Sequence, residues 1–104
     1  MYRLETEVLT PTGLHAGPAR QFVQLARRYP CEVKILFRGR EYDAKSMIGV
    51  LGAGINRHDR IRIVCKGQGE EELCRALADL VRQDMNAFQV QQMQKQTENQ
   101  PPQA

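Results

Sequence analysis

The chain has 104 residues, 41% of them hydrophobic and none of them Trp, which fits one domain with one modest, mainly aliphatic core. Its 15 Lys and Arg against 12 Asp and Glu give a net charge of +3, but the basic residues are scattered, without the concentrated patch and stacking aromatics of a nucleic-acid binder. No signal-peptide pattern opens the chain and no apolar run approaches the roughly 20 residues of a membrane helix, so a soluble, cytoplasmic protein that does not enter membranes is expected.

Tyr2, Leu4, Thr6 and Val8 alternate with Arg3, Glu5 and Glu7, the period of a strand with one buried face. Thr10-Pro11-Thr12-Gly13 breaks it. Ala19, Phe22, Val23, Ala26 and Tyr29 then recur at helical spacing, with Arg20, Gln24, Arg27 and Arg28 between them. This is an amphipathic helix from about 16 to 28, with Pro18 tolerated in its first turn and Pro30 stopping it. Cys31, Val33, Ile35 and Phe37 give a second strand, Arg38-Gly39 a tight turn, and residues 40 to 43 a short third strand closing a hairpin. Ser46 is a good N-cap for a helix of about two turns that ends at glycine. Ile61, Ile63 and Cys65 mark a fourth strand.

Glu70, Glu71 and Glu72 suit the positive end of a last helix, expected from about 70 to 85. Residues 89 to 104 are Gln-rich, end near Pro-Pro and lack a core pattern, so they are expected to form a polar, disordered tail. The order β-α-β-β-α-β-α suits an α+β layer structure, a four-stranded sheet with helices on one face and a wet outer face. Strands separated by a helix are expected to run parallel. Cys31, Cys65 and Cys74 are odd in number and widely spaced, with no CxxC pair, so they are expected to be buried thiols and not metal ligands.

The segment Thr12-Gly13-Leu14-His15-Ala16-Gly17-Pro18-Ala19 carries the chemistry. A helix start offers free N–H groups and a partial positive charge to an anion. Imidazole is a competent nucleophile near neutral pH. A phosphoryl group on His15 would fall beside the amides of Ala16 and Gly17. On spacing alone, a histidine that simply ends a loop remains the plain alternative. His58, in Asn56-Arg57-His58-Asp59, reads as a solvated loop residue. A His15–His58 metal site lacks further ligands.

TGLHAGPA resembles the active-site segment of the HPr family of phosphocarrier proteins, usually GLHARPA. Ala44-Lys45-Ser46-Met47-Ile48-Gly49-Val50-Leu51 resembles that family's regulatory serine segment, at the family's usual interval. The resemblance covers about residues 2 to 88, making 1–88 an HPr-like domain, and implies an open-faced β-sandwich. That fold has a four-stranded antiparallel sheet with three helices on one face. The resemblance further implies phosphorylation of His15 at Nδ1 by enzyme I of the phosphoenolpyruvate:sugar phosphotransferase system. Transfer would follow to an enzyme IIA-type acceptor, with no cofactor and no metal, from a monomer.

It also implies phosphorylation of Ser46 by a serine kinase and contact with a transcription regulator. The implied partner surface comprises Thr12, Gln24, Arg27, Met47, Ile48 and Leu51. Gly17 departs from the pattern, because the family's arginine there binds the phosphoryl group. Ala16, Gly17 and Arg20 are the remaining phosphate-binding candidates, Arg20 lying one turn along the helix. The departure keeps an alternative open: a regulatory adaptor acting through Ser46, with weak transfer on His15.

Overall fold

The computed structural model describes residues 1–83. The expected tail, and residues 84 and 85 of the expected last helix, lie outside the described residues. Seven elements follow in the expected order: β1 (Tyr2–Glu7), α1 (Ala16–Arg27), β2 (Glu32–Phe37), β3 (Arg40–Asp43), α2 (Met47–Gly52), β4 (Arg60–Lys66) and α3 (Glu70–Val81).

The strands form one sheet in the order β1-β4-β2-β3. Every neighbouring pair is antiparallel, with Leu4 opposite Ile63, Ile63 opposite Ile35 and Ile35 opposite Tyr42. β1 and β2 do run parallel, as their helical connection suggested. They do not touch, because β4 lies between them and is antiparallel to both.

Period-two patterning puts Val33, Ile35 and Phe37 of β2, and Ile61, Ile63 and Cys65 of β4, on the inner face. There they meet Phe22, Val23 and Ala26 of α1, Val50 of α2, and Leu73, Leu77 and Val81 of α3. The outer face carries Arg3, Glu5, Lys34 and Arg62 and remains open to solvent, with Val64 and Leu36 half-buried among them. The two turn residues Arg38 and Gly39 both have positive φ, +52° and +79°, the backbone of a two-residue hairpin that matches strand twist.

The last helix is shorter at its C-terminus than the expected 70 to 85. It closes at Val81, and the Val81 carbonyl accepts hydrogen bonds from the Leu9 and Thr10 amides at 2.7 and 3.3 Å. The chain leaving β1 thus supplies the donors that a further helical turn would have supplied.

All three thiols are buried. Cys31 donates to the Gln68 carbonyl at 2.8 Å and Cys74 to that of Ile63 at 3.3 Å. The neighbouring Cys74 thiol, together with burial, pushes the Cys65 thiol well above its ordinary range, so it stays protonated and inert.

Candidate functional site

The site begins with Thr10 and Gly13. The buried Thr10 hydroxyl donates to the Gly13 carbonyl at 2.8 Å, and the Gly13 amide donates to the Thr10 carbonyl at 2.9 Å. Gly13 has φ +73°, and a Cβ there would sit 2.5 Å from the Ile55 carbonyl oxygen and 2.6 Å from Asn56 Cα. Only glycine fits a left-handed position so close to another backbone. The Leu14 amide donates to Ile55 at 3.0 Å, and the Leu14 side chain is fully buried. This turn is therefore fastened to the segment that follows α2.

His15 emerges from the turn as the N-cap of α1, in extended backbone (φ −127°, ψ 163°), and its side chain makes no cap hydrogen bond. The ring is half-buried. Ala16, the next residue, has φ +46°, a region that costs an L-residue about 1–2 kcal/mol. Pro18 has no N–H, so Ala16 and Gly17 are the donors that the start of α1 can turn toward an anion. Both are exposed, and a Cβ on Gly17 would meet nothing within 4 Å. Arg20 is exposed one turn along and makes no ion pair among the described residues.

The second cluster lies on α2. Ser46 is its N-cap, with the hydroxyl oxygen accepting from the Gly49 amide at 3.1 Å. Val50 is fully buried, whereas Ile48 is 85% and Leu51 40% exposed, with Met47 half-buried. A helix this short can bury one face only, so its remaining apolar residues form a surface patch.

Arg27 Nε donates to the Lys45 carbonyl at 2.8 Å, and Lys45 Nζ donates to the Tyr29 carbonyl at 2.7 Å. These bonds tie the end of α1 to the start of α2, while Leu14 and Ile55 tie the opposite ends. The two helices therefore run antiparallel. Ser46 and His15 lie at opposite ends of the pair, with Gln24 and Arg27 along the exposed side of α1. Thr12 is exposed in the turn before His15.

One neighbour of the histidine has no place in either sequence motif. His15 Nε2 lies 3.1 Å from Asn56 Oδ1. The two residues are 41 apart in sequence, and an Asn opening a polar loop reads locally as a turn former and nothing more. His58 stands away from this contact, with φ +77° and Nδ1 2.8 Å from Glu7 Oε2. Among the described residues no group of three His, Cys, Asp or Glu is placed to hold a metal ion.

A family model described as the PTS HPr component phosphorylation site matches residues 2–83. The chain belongs to the HPr family. It is 31% identical over 85 residues to the HPr-like protein Crh of Bacillus subtilis (strain 168), covering 82% of this chain and all of that protein. The crystal structure of a phosphocarrier protein HPr from Bacillus anthracis superposes with a TM-score of 0.75 at 34% identity, covering 77% of this chain and 95% of that one. A crystal structure of Crh, described as a dimer with a swapped domain, gives a TM-score of 0.63 at 32% identity, covering 79% of this chain and 94% of that one. The HPr fold is thus shared, an α+β open-faced sandwich with four antiparallel strands and three helices.

Proposed function

We propose that this HPr-family protein is a phosphoryl carrier whose working atom is Nδ1 of His15. The donor is a phosphohistidine of enzyme I, itself charged by phosphoenolpyruvate, and the acceptor is a histidine of an enzyme IIA-type subunit. The observation that carries the reading is His15 standing as the N-cap of α1 with its ring unused in capping. In the forward step the Nδ1 lone pair attacks phosphorus and a new N–P bond forms. The donor's N–P bond breaks and its electron pair returns to the donor imidazole. Onward transfer is the same exchange with His15 as the leaving group. The amides of Ala16 and Gly17, backed by the helix dipole, hold the phosphoryl oxygens as charge shifts among them. Arg20 supplies the nearest cation along α1.

The apolar patch of Met47, Ile48 and Leu51, with Arg20, Gln24 and Arg27 on the neighbouring helix and Thr12 beside His15, is the partner surface in this reading. Apolar contact gives a brief docking its grip, and the arginines steer an acidic partner. Phosphorylation of Ser46 by a serine kinase would place up to two negative charges beside Met47 and Ile48 and repel the same partner. Because Ser46 lies at the far end of the helix pair from His15, this regulation acts through docking and not through the histidine itself. The protein works as a cytoplasmic monomer in this reading. Size-exclusion chromatography with light scattering at rising concentration tests that, and a stable dimer like the one described for Crh would refute it.

A second reading has one observation in its favour: Gly17, where the family carries its phosphoryl-binding arginine. In it the protein is a regulatory adaptor, phosphorylated on Ser46 and bound by a transcription regulator, with slow His15 transfer. One paired experiment separates the two. The protein is incubated with enzyme I and labelled phosphoenolpyruvate, and separately with the serine kinase and labelled ATP. Acid-labile label that disappears in His15→Ala supports the carrier. Acid-stable label alone, lost in Ser46→Ala, supports the adaptor.

A further inference from the structure

Resting on the carrier reading, we infer that Asn56 is a positioning residue for His15, fixing the tautomer that leaves Nδ1 as the nucleophile. An imidazole has one lone pair to offer when neutral, and the nitrogen bearing the proton cannot attack. Asn56 Oδ1, 3.1 Å from Nε2, is an acceptor only. It therefore requires the proton on Nε2 and leaves the lone pair on Nδ1, which has no hydrogen-bond partner among the described residues. The same bond persists after phosphorylation at Nδ1, because Nε2 keeps its proton. It then also steadies the positive charge that the ring gathers as the group arrives or leaves.

Asn56 is held for this task by its own loop. Its amide donates to Asp59 Oδ2 at 2.8 Å, and its carbonyl accepts from the Asp59 amide at 3.1 Å. The other Asp59 oxygen faces Arg38 at 3.7 Å. His58 and Asp59 are bonded to both polar groups of the Val8 backbone, at 2.6 and 2.8 Å. Gly13 lets the Ile55–Asn56 backbone lie directly against the His15 turn. The loop is thus anchored to the residue just after β1 and to the histidine's own turn at once. A side-chain amide on such a mount can set a ring orientation, whereas one on a free loop cannot.

The test begins on the unphosphorylated protein and needs no donor. Two-dimensional nitrogen NMR of His15 reads which ring nitrogen carries the proton, in the wild type and in Asn56→Ala and Asn56→Asp. The amide spectrum confirms that each variant is folded. The wild type is expected to show Nε2–H, with an exchange-protected Nε2 proton signal. Asn56→Ala should lose that protection and slow transfer from phosphorylated enzyme I about fivefold, the equivalent of one hydrogen bond of ~1 kcal/mol. Asn56→Asp, which keeps an acceptor in place, should restore the protected proton.

A wild-type proton on Nδ1 would overturn the inference. So would an Asn56→Ala protein whose tautomer, proton protection and transfer rate all match the wild type. If the wild type labels on His15 while its tautomer is indifferent to residue 56, this inference falls and the carrier stands. If the wild type never labels on His15, the carrier reading falls and takes this inference with it.

Discussion

Gly17 stands one residue before Pro18, where the resemblance to the HPr active-site segment implies an arginine, and the structure leaves an open position there: a Cβ would meet nothing within 4 Å. A guanidinium on phosphoryl oxygens makes charge-assisted contacts of about 1.5–3 kcal/mol. On the carrier reading, Gly17→Arg should therefore add a contact, with open space at its Cβ, and speed transfer from enzyme I by about one to two decades, as rapid-quench kinetics would show. A slower Gly17→Arg protein would contradict the site as drawn.

Ala16 invites the opposite kind of change. Its φ of +46° costs a residue with a Cβ about 1 kcal/mol that glycine escapes. Ala16→Gly should raise stability by up to about that amount in urea unfolding, less the extra chain entropy glycine carries in the unfolded state. A net loss of about 0.4–1 kcal/mol, the full entropic cost of glycine with no relief to offset it, would show that the position is not strained.

At the scale of elements, the sequence made the strands and α1 plain because their information is local. Leu4, Ile63 and Ile35 face inward by simple alternation, and the apolar stripe from Ala19 to Ala26 needs no knowledge of the rest of the chain. Ser46 was legible for the same reason, being a capping residue just before an apolar run. Other features arise only from packing. Nothing around Ala16 signals a positive φ, since alanine does not seek one; the tight turn and the helix beyond it impose it. The early end of α3 depends on amides from Leu9 and Thr10, some 70 residues earlier. The partnership of Asn56 with His15 exists because α1 and α2 are antiparallel and bring the two loops together.

The cap itself can be tested. Ser46→Ala removes the bond to the Gly49 amide and should cost about 1 kcal/mol, with amide exchange accelerated first in α2. A loss near zero would mean that α2 is held by Val50 and the Arg27–Lys45 tie alone.

At the scale of the whole molecule, Glu70 joins three parts of the fold. Its carboxylate takes a salt bridge from the N-terminal amine at the head of β1, at 2.8 Å, and a hydrogen bond from the Gly67 amide in the turn after β4, at 3.0 Å. It also sits in the first turn of α3, where negative charge is favoured. The terminal amine and the Gly67 amide hold its carboxyl below the ordinary carboxylate range. A group lowered in this way is ionised more readily in the folded chain than in the unfolded one. Its contribution to stability is therefore complete above the unfolded value, about 4.3 for a glutamate. That contribution is lost as pH falls from there through the lower folded value. Glu70→Gln removes the charge at every pH. The variant should be less stable than the wild type at pH 7, and the gap should close progressively below about pH 4. Thermal unfolding midpoints followed from pH 7 to pH 2.5 would read this directly. A gap that stayed constant across that range would mean that the Glu70 side chain contributes through packing rather than through its charge.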